Sequence, residues 1–197
     1  MTSHTISAPL SQDDKALLLK LARQSLALAV NGCDPLELAL ADYSPPLQAQ
    51  GASFVTLTCL GELRGCIGTV EPYQPLVQDV CEHAMAAALE DYRFFPVRPE
   101  ELPAVRIEIS RLTTPVELEF EHPGDLPGLL RPHVDGVILR EGFHRATFLP
   151  QVWEKIDRPE EFLDHLCQKM SLPASAWRQR KLRAFTYRVE EFHEDEH

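Results

Sequence analysis

The five cysteines, Cys33, Cys59, Cys66, Cys81 and Cys167, include no Cys-x-x-Cys pair. This removes the zinc ribbon and the thioredoxin-type dithiol. Their odd number and wide spread favour a reducing compartment, and a cytoplasmic protein is expected. No His-Glu-x-x-His frame is present. His83 has no histidine four residues on, His122, His133 and His144 fall in predicted loops or turns, and His193 and His197 lie in the tail. No metal site or cofactor is therefore expected. A Walker loop is missing, and the Gly65-x-x-Gly68 spacing lacks the Rossmann context. The start of the chain lacks the basic residues and continuous apolar core of a signal peptide, and no run approaches a membrane span. Basic residues are scarce: 19 Lys and Arg stand against 30 Asp and Glu, for a net charge of -11. That field repels phosphate backbones, so neither nucleic acid nor membrane is expected as a partner.

What is present is ordinary for a soluble domain, with 44% hydrophobic and 25% charged residues in 197. Residues 11–190 are expected to form a single domain, with 1–10 and 191–197 as flexible termini and an acidic, solvated tail from Glu190. Ser11 caps a predicted helix with Asp13 and Asp14 in its first turn, and Asn31-Gly32 ends it. Pro35, Pro45 and Pro46 mark a wrapping segment with a helical turn at residues 36–41. Phe54 to Leu60 and the segment from Leu63 form a hairpin about Gly61-Glu62, and a helix runs from Pro75 to about Glu90. Val105, Ile107 and Ile109 alternate with polar residues as a half-buried strand. Residues 117–132 read as loop. A second hairpin joins residues 137–139 to 145–149 around Glu141-Gly142. Pro150 opens a further helix, and another helix ends near Met170. A short helix carries Trp177, and Phe185, Tyr187 and Val189 form a last strand. Phe94, Phe95 and Trp153 are read as packing residues.

The most unusual stretch is Gly61-Glu62-Leu63-Arg64-Gly65-Cys66-Ile67-Gly68-Thr69-Val70. Glycine weakens a strand interior, so two glycines flanking one cysteine point to a bulge or a close backbone approach. In a regular strand Arg64 and Cys66 share a face. A guanidinium beside a thiol favours the thiolate, and amides near Gly65 and Gly68 suit an anionic or carbonyl oxygen. The competing reading makes Cys66 a small buried hydrophobe and the glycines only a turn.

Leu63-Arg64-Gly65-Cys66-Ile67-Gly68-Thr69 resembles the signature string of the AMMECR1 domain family, the protein A type of the AmmeMemoRadiSam system. Asp91-Tyr92-Arg93-Phe94-Phe95-Pro96 resembles that family's Asp-x-Arg-Phe-x-Pro motif. Arg145-Ala146-Thr147-Phe148-Leu149-Pro150-Gln151-Val152 resembles its third motif, and Lys169 falls where the family has a lysine closing the next helix. The resemblance implies an α+β fold with a curved, mostly antiparallel, barrel-like sheet flanked by helices. It is expected either as two hairpin-plus-helix repeats, each with an arginine two residues before Cys66 or Thr147, or as a large and a small subdomain around a cleft. The cleft would be lined by residues 63–69 and would take a small-molecule or peptide ligand. Its ligand-binding residues would be Gly65, Gly68, Thr69, Arg93, Arg145, Thr147, Gln151 and Lys169.

The resemblance also implies a modification or biosynthetic pathway shared with Memo-like and radical SAM proteins. Two functions stay open. In one, Cys66 is a thiolate nucleophile or carrier activated by Arg64, with the base supplied by a histidine such as His83 or His144. In the other, the chain is a noncatalytic ligand-binding or adaptor module with Cys66 structural. The Asp91-x-Arg93 spacing has a parallel ambiguity, since Arg93 either fixes the turn or reaches a substrate anion.

Overall fold

The computed structural model describes residues 9–194; the expectations for residues 1–8 and 195–197 lie outside them. In chain order the first half comprises α1 (Gln12–Val30), α2 (Pro45–Gln48), β1 (Gln50–Cys59), β2 (Glu62–Gly68), β3 (Gln74–Pro75), α3 (Leu76–Leu89) and β4 (Val105–Leu112). The second half comprises β5 (Val116–Glu117), α4 (Leu126–Leu129), β6 (Gly136–Glu141), β7 (His144–Phe148), α5 (Pro159–Lys169), α6 (Ala176–Gln179), β8 (Arg183–Tyr187) and β9 (Val189–His193). Two compact units result, one of residues 9–112 with 190–194 and one of Thr113–Val189.

In the unit of residues 9–112 and 190–194, α1 begins as its sequence dictates. The Ser11 side chain accepts from the Asp14 amide, and Gly32, at φ 69, carries the left-handed exit. Leu18, Leu21, Ala22, Ser25 and Leu26 form its buried stripe. The sheet runs β2-β1-β4-β9, with β3 also on β1. Val55 and Leu57 from β1 and Val105, Ile107 and Ile109 from β4 pack with α1 and α3 into one core. The β1–β2 turn falls one residue earlier than expected, with Leu60 and Gly61 both at positive φ. A 3-10 turn at Leu40–Asp42 and the short α2 replace the helical turn expected over residues 36–41.

The expected solvated tail is instead β9 as far as His193. Phe192 is buried in the core, and the Glu190 carboxylate lies 2.8 Å from Lys15 and 3.1 Å from Arg111. Acidity there satisfies the buried Arg111 and the half-buried Lys15, which composition alone reads as solvation.

In the other unit the sheet order is β5-β8-β6-β7. Its core holds Trp153 stacked at 3.7 Å on Phe162, with the indole N–H donating 2.7 Å to the Asp135 carbonyl. Residues 117–132, expected as loop, contribute part of β5, a 3-10 turn and α4.

The fold is α+β with antiparallel sheets, and neither sheet closes into the expected barrel. The two hairpins do repeat one topology. In each unit the second hairpin strand is an edge, the first lies inside it, and a strand after the next helix pairs antiparallel on the far side, giving β2-β1-β4 and β7-β6-β8.

Candidate functional site

The β1–β2 ladder pairs Thr58 with Leu63 and Leu57 with Gly65, which leaves Arg64 as the extra residue of a bulge. The bulge interrupts the alternation on which a shared face for Arg64 and Cys66 depends. Arg64 is engaged elsewhere. Its Nε and Nη2 donate to Glu101 at 2.7 and 3.1 Å, and Nη1 and Nη2 donate to the Phe95 and Pro96 carbonyls at 2.9 and 3.2 Å. Hydrogen bonds from Arg64, then from the Arg98 amide, hold the Glu101 carboxyl down at about 2. The expected activation of Cys66 by Arg64 is thus not what the geometry provides: the guanidinium is a clamp on the loop after α3.

The arginine that reaches Cys66 is Arg93. The Cys66 amide donates 2.8 Å to Asp91 Oδ2, and Arg93 Nη2 donates 3.3 Å to the Cys66 carbonyl. Arg93 also forks onto Asp91, with Nε at 2.9 Å from Oδ1 and Nη2 at 2.6 Å from Oδ2. The Arg93 bonds, helped by the Cys66 and Arg93 amides, hold the Asp91 carboxyl far below the usual carboxylate range. Since β2 is an edge strand, the Asp91-Arg93 pair occupies the donor and acceptor that a neighbouring strand would otherwise meet.

The Cys66 sulfur accepts from Thr56 Oγ1 at 3.4 Å across the ladder. Thr56 alternates with Val55 and Leu57, which face the helices, so the thiol lies on the sheet face away from α3. His83 belongs to α3. There its Nδ1 lies 3.2 Å from Asp79 Oδ2, which also accepts from Ser53 Oγ at 2.6 Å. As a base for Cys66 it is on the wrong side of the sheet.

The two glycines are explained by close approach. A Cβ on Gly65 would stand 2.1 Å from the Ala87 carbonyl oxygen of α3, and one on Gly68 would stand 2.4 Å from the Ser53 carbonyl oxygen. Thr69 donates its amide to Ser53 O at 3.0 Å and bonds its hydroxyl to the Glu71 backbone. Of the amides around Gly65 and Gly68 expected to suit an oxyanion, those of Cys66 and Thr69 are therefore engaged.

Arg145, Thr147, Gln151 and Lys169 fall in the other unit. Thr147 Oγ1 donates 3.0 Å to the Val137 carbonyl and lies 2.9 Å from the Tyr187 hydroxyl. Tyr187 in turn donates 3.1 Å to the Phe148 carbonyl. Burial pushes the phenol up to about 12, against the Thr147 hydrogen bond and the charge of Arg145. Lys169, the last residue of α5, donates from Nζ to the Thr147 carbonyl at 2.9 Å and sits 5.0 Å above the Phe148 ring. Burial of the ammonium pulls its pKa down. His144 places Nδ1 at 2.9 Å from the Met170 carbonyl. Arg145 and Gln151 are half-buried, with Gln151 inside the 3-10 turn Pro150–Glu154.

Sequence reasoning missed the surface of the Asp91–Glu101 loop. Tyr92 is 95% and Phe95 90% exposed, so Phe95 is not the packing residue expected, whereas Trp153 is. With Arg64, Arg93, Pro96 and Arg98 they line an open groove of about 950 Å³. The available signal was aromatic residues in a loop with no periodicity to bury them. Among the described residues no group of three or more His, Cys, Asp or Glu side chains is arranged to hold a metal, and no helix is long and apolar enough to cross a membrane.

The AMMECR1 family model matches residues 19–192. A protein of Methanothermobacter thermautotrophicus is 40% identical over 193 residues, covering 95% of this chain and 98% of that one. One from Thermofilum pendens is 36% identical, covering 93% and 91%. The crystal structure of an uncharacterized protein from Pyrococcus horikoshii is similar with a TM-score of 0.85 at 31% identity, over 94% of each chain.

Proposed function

The chain belongs to the AMMECR1 family, and within it we propose a noncatalytic ligand-binding module in which Cys66 is structural. The observation that carries this reading is the double engagement of β2. The amide and carbonyl of Cys66 are held by Asp91 and Arg93, and the Arg64 guanidinium is held by Glu101. A thiolate nucleophile needs a cation for its charge and open donors for the developing oxyanion. Here both devices serve to fix the loop.

In this reading each residue of Arg64-Gly65-Cys66-x-Gly68 has a mechanical task. Gly65 and Gly68 admit the Ala87 and Ser53 backbones, while Arg64 and the Cys66 backbone anchor residues 91–101. The string is a frame that presents the loop to a small-molecule or peptide ligand. The proposal includes a place beside Memo-like and radical SAM proteins in a shared modification pathway.

Iodoacetamide labelling of the folded protein at neutral pH, followed by mass spectrometry, tests it, with the exposed Cys33 as internal reference. Cys66 should label no faster than Cys33, and Arg64→Ala should not slow it. Selective labelling of Cys66 ahead of Cys33, slowed in Arg93→Ala, would instead identify a nucleophile served by Arg93.

A further inference from the structure

We propose that the groove beside the Asp91–Glu101 loop docks a partner protein through an acidic segment bearing an aromatic or aliphatic anchor. The inference rests on the binding-module reading and specifies its occupant.

Two large apolar side chains are almost fully exposed on this one short loop. Tyr92 and Phe95 stand out from the loop and line the groove with the half-buried Phe94 and with Pro96. Tyrosine, phenylalanine and arginine are enriched at protein interfaces, and tyrosine and arginine also at their energetic centres. The groove is open and its two aromatic anchors are 90–95% exposed, whereas a small-molecule site buries most of its ligand's surface in a concavity.

The loop that carries them is held in place before any partner arrives. The Phe94 amide donates 3.0 Å to the Asp91 carbonyl and the Val97 amide 2.8 Å to the Ala88 carbonyl. Arg64 fastens the carbonyls of Phe95 and Pro96 from the strand side. Ordering of the binding surface is thus met within the fold, and less of the association energy is spent on it.

Charge selects the partner. Arg64 and Arg93 are each forked onto a carboxylate. The Arg98 guanidinium is only 3.7 Å from Glu101, beyond hydrogen-bond length, and its side chain is 76% exposed. This long, exposed ion pair leaves the Arg98 fork able to exchange Glu101 for a partner carboxylate. One exposed, weakly paired cation in the groove suits a segment with a few carboxylates, not a polyphosphate. A second copy would set Arg98 against Arg98.

The test is selection of phage-displayed random dodecapeptides on the full chain, followed by anisotropy titration of the enriched peptides against wild type, Phe95→Ser and Arg98→Glu. These residues are exposed, and circular dichroism verifies that the variants are folded. Enriched peptides should combine carboxylates with an aromatic or aliphatic residue and should lose about tenfold or more in affinity with either variant. Arg98→Glu should turn the preference toward basic peptides. No enrichment, or peptides bound equally by the variants, overturns the proposal. So does a concentration-dependent dimer abolished by Phe95→Ser, which would make the occupant a second copy. Failure here with an unreactive Cys66 removes only the docking proposal, whereas a fast-labelling Cys66 removes the binding-module reading itself.

Discussion

The Cys66 amide donates to the Asp91 carboxylate at 2.8 Å, closing an open strand edge with a side chain in place of a strand. The same solution recurs in the other unit, where Lys169 Nζ donates to the Thr147 carbonyl. In both, a cation at or just beyond the end of the helix that follows a hairpin reaches back to the hairpin's outer strand. The residue it reaches lies two places after an arginine in each case.

Asp91→Asn should destabilise the protein by about 1–3 kcal/mol, because the Cys66 amide keeps a weaker acceptor and Arg93 loses its counter-charge. Asp91→Asn combined with Arg93→Leu should be less damaging than the sum of the two changes, since the pair acts as a unit. Urea denaturation of the four proteins measures the coupling; strict additivity would show that the clamp contributes nothing as a pair.

Gly65→Ala should cost about 3 kcal/mol or more, as overpacking at a helix–strand contact does. The atom in the way is the Ala87 carbonyl oxygen, 2.1 Å from the added Cβ. Because that atom is backbone, Ala87→Gly should not restore stability. Rescue by Ala87→Gly in thermal melts would place the obstruction in a side chain and refute the account.

Glu101 and Tyr187 should respond to opposite ends of the pH scale. Glu101 titrates near 2 in the folded protein against an ordinary 4.5, and Asp91 is lowered as well. The unfolded chain therefore takes up protons first as pH falls, and stability present above about pH 4.5 is lost toward pH 2. Glu101→Gln should flatten this acid limb. Tyr187 is shifted the other way, from 10.0 to about 12. The unfolded state releases its proton first as pH rises, so stability present below pH 10 is lost toward pH 12. Tyr187→Phe should shrink that limb, leaving the part due to Tyr43 and Tyr73, which are raised too. Urea midpoints measured across pH 2–5 and pH 9–12 check both signs; an acid limb unchanged by Glu101→Gln would contradict the first assignment.

Much of the scaffold was legible because local rules governed it. Ser11 and Gly32 bounded α1, the apolar periods of α1 and β4 matched their buried faces, and the third motif fell on β7 with Lys169 closing α5. The β9 strand was not, since a run of Glu residues reads as solvated until Lys15 and Arg111 are brought to it from distant parts of the chain. The barrel expectation failed for a comparable reason: strand count and curvature depend on which edges meet, and here the edges stay open.

The site divides along the same line. Sequence alone determined that the segment around Cys66 is exceptional, and it narrowed its glycines to a bulge, a close approach or a turn and Arg93 to a partner for Asp91 or for a substrate anion. All of these follow from residue chemistry at short range. Only the tertiary structure decided what Arg64 does. A one-residue bulge between Leu63 and Gly65 breaks the alternation that would set it beside the thiol, and Glu101 supplies a carboxylate matched to its fork. Bulges and long-range ion pairs leave no period in a sequence, because they depend on the partner strand's register and on where the chain returns.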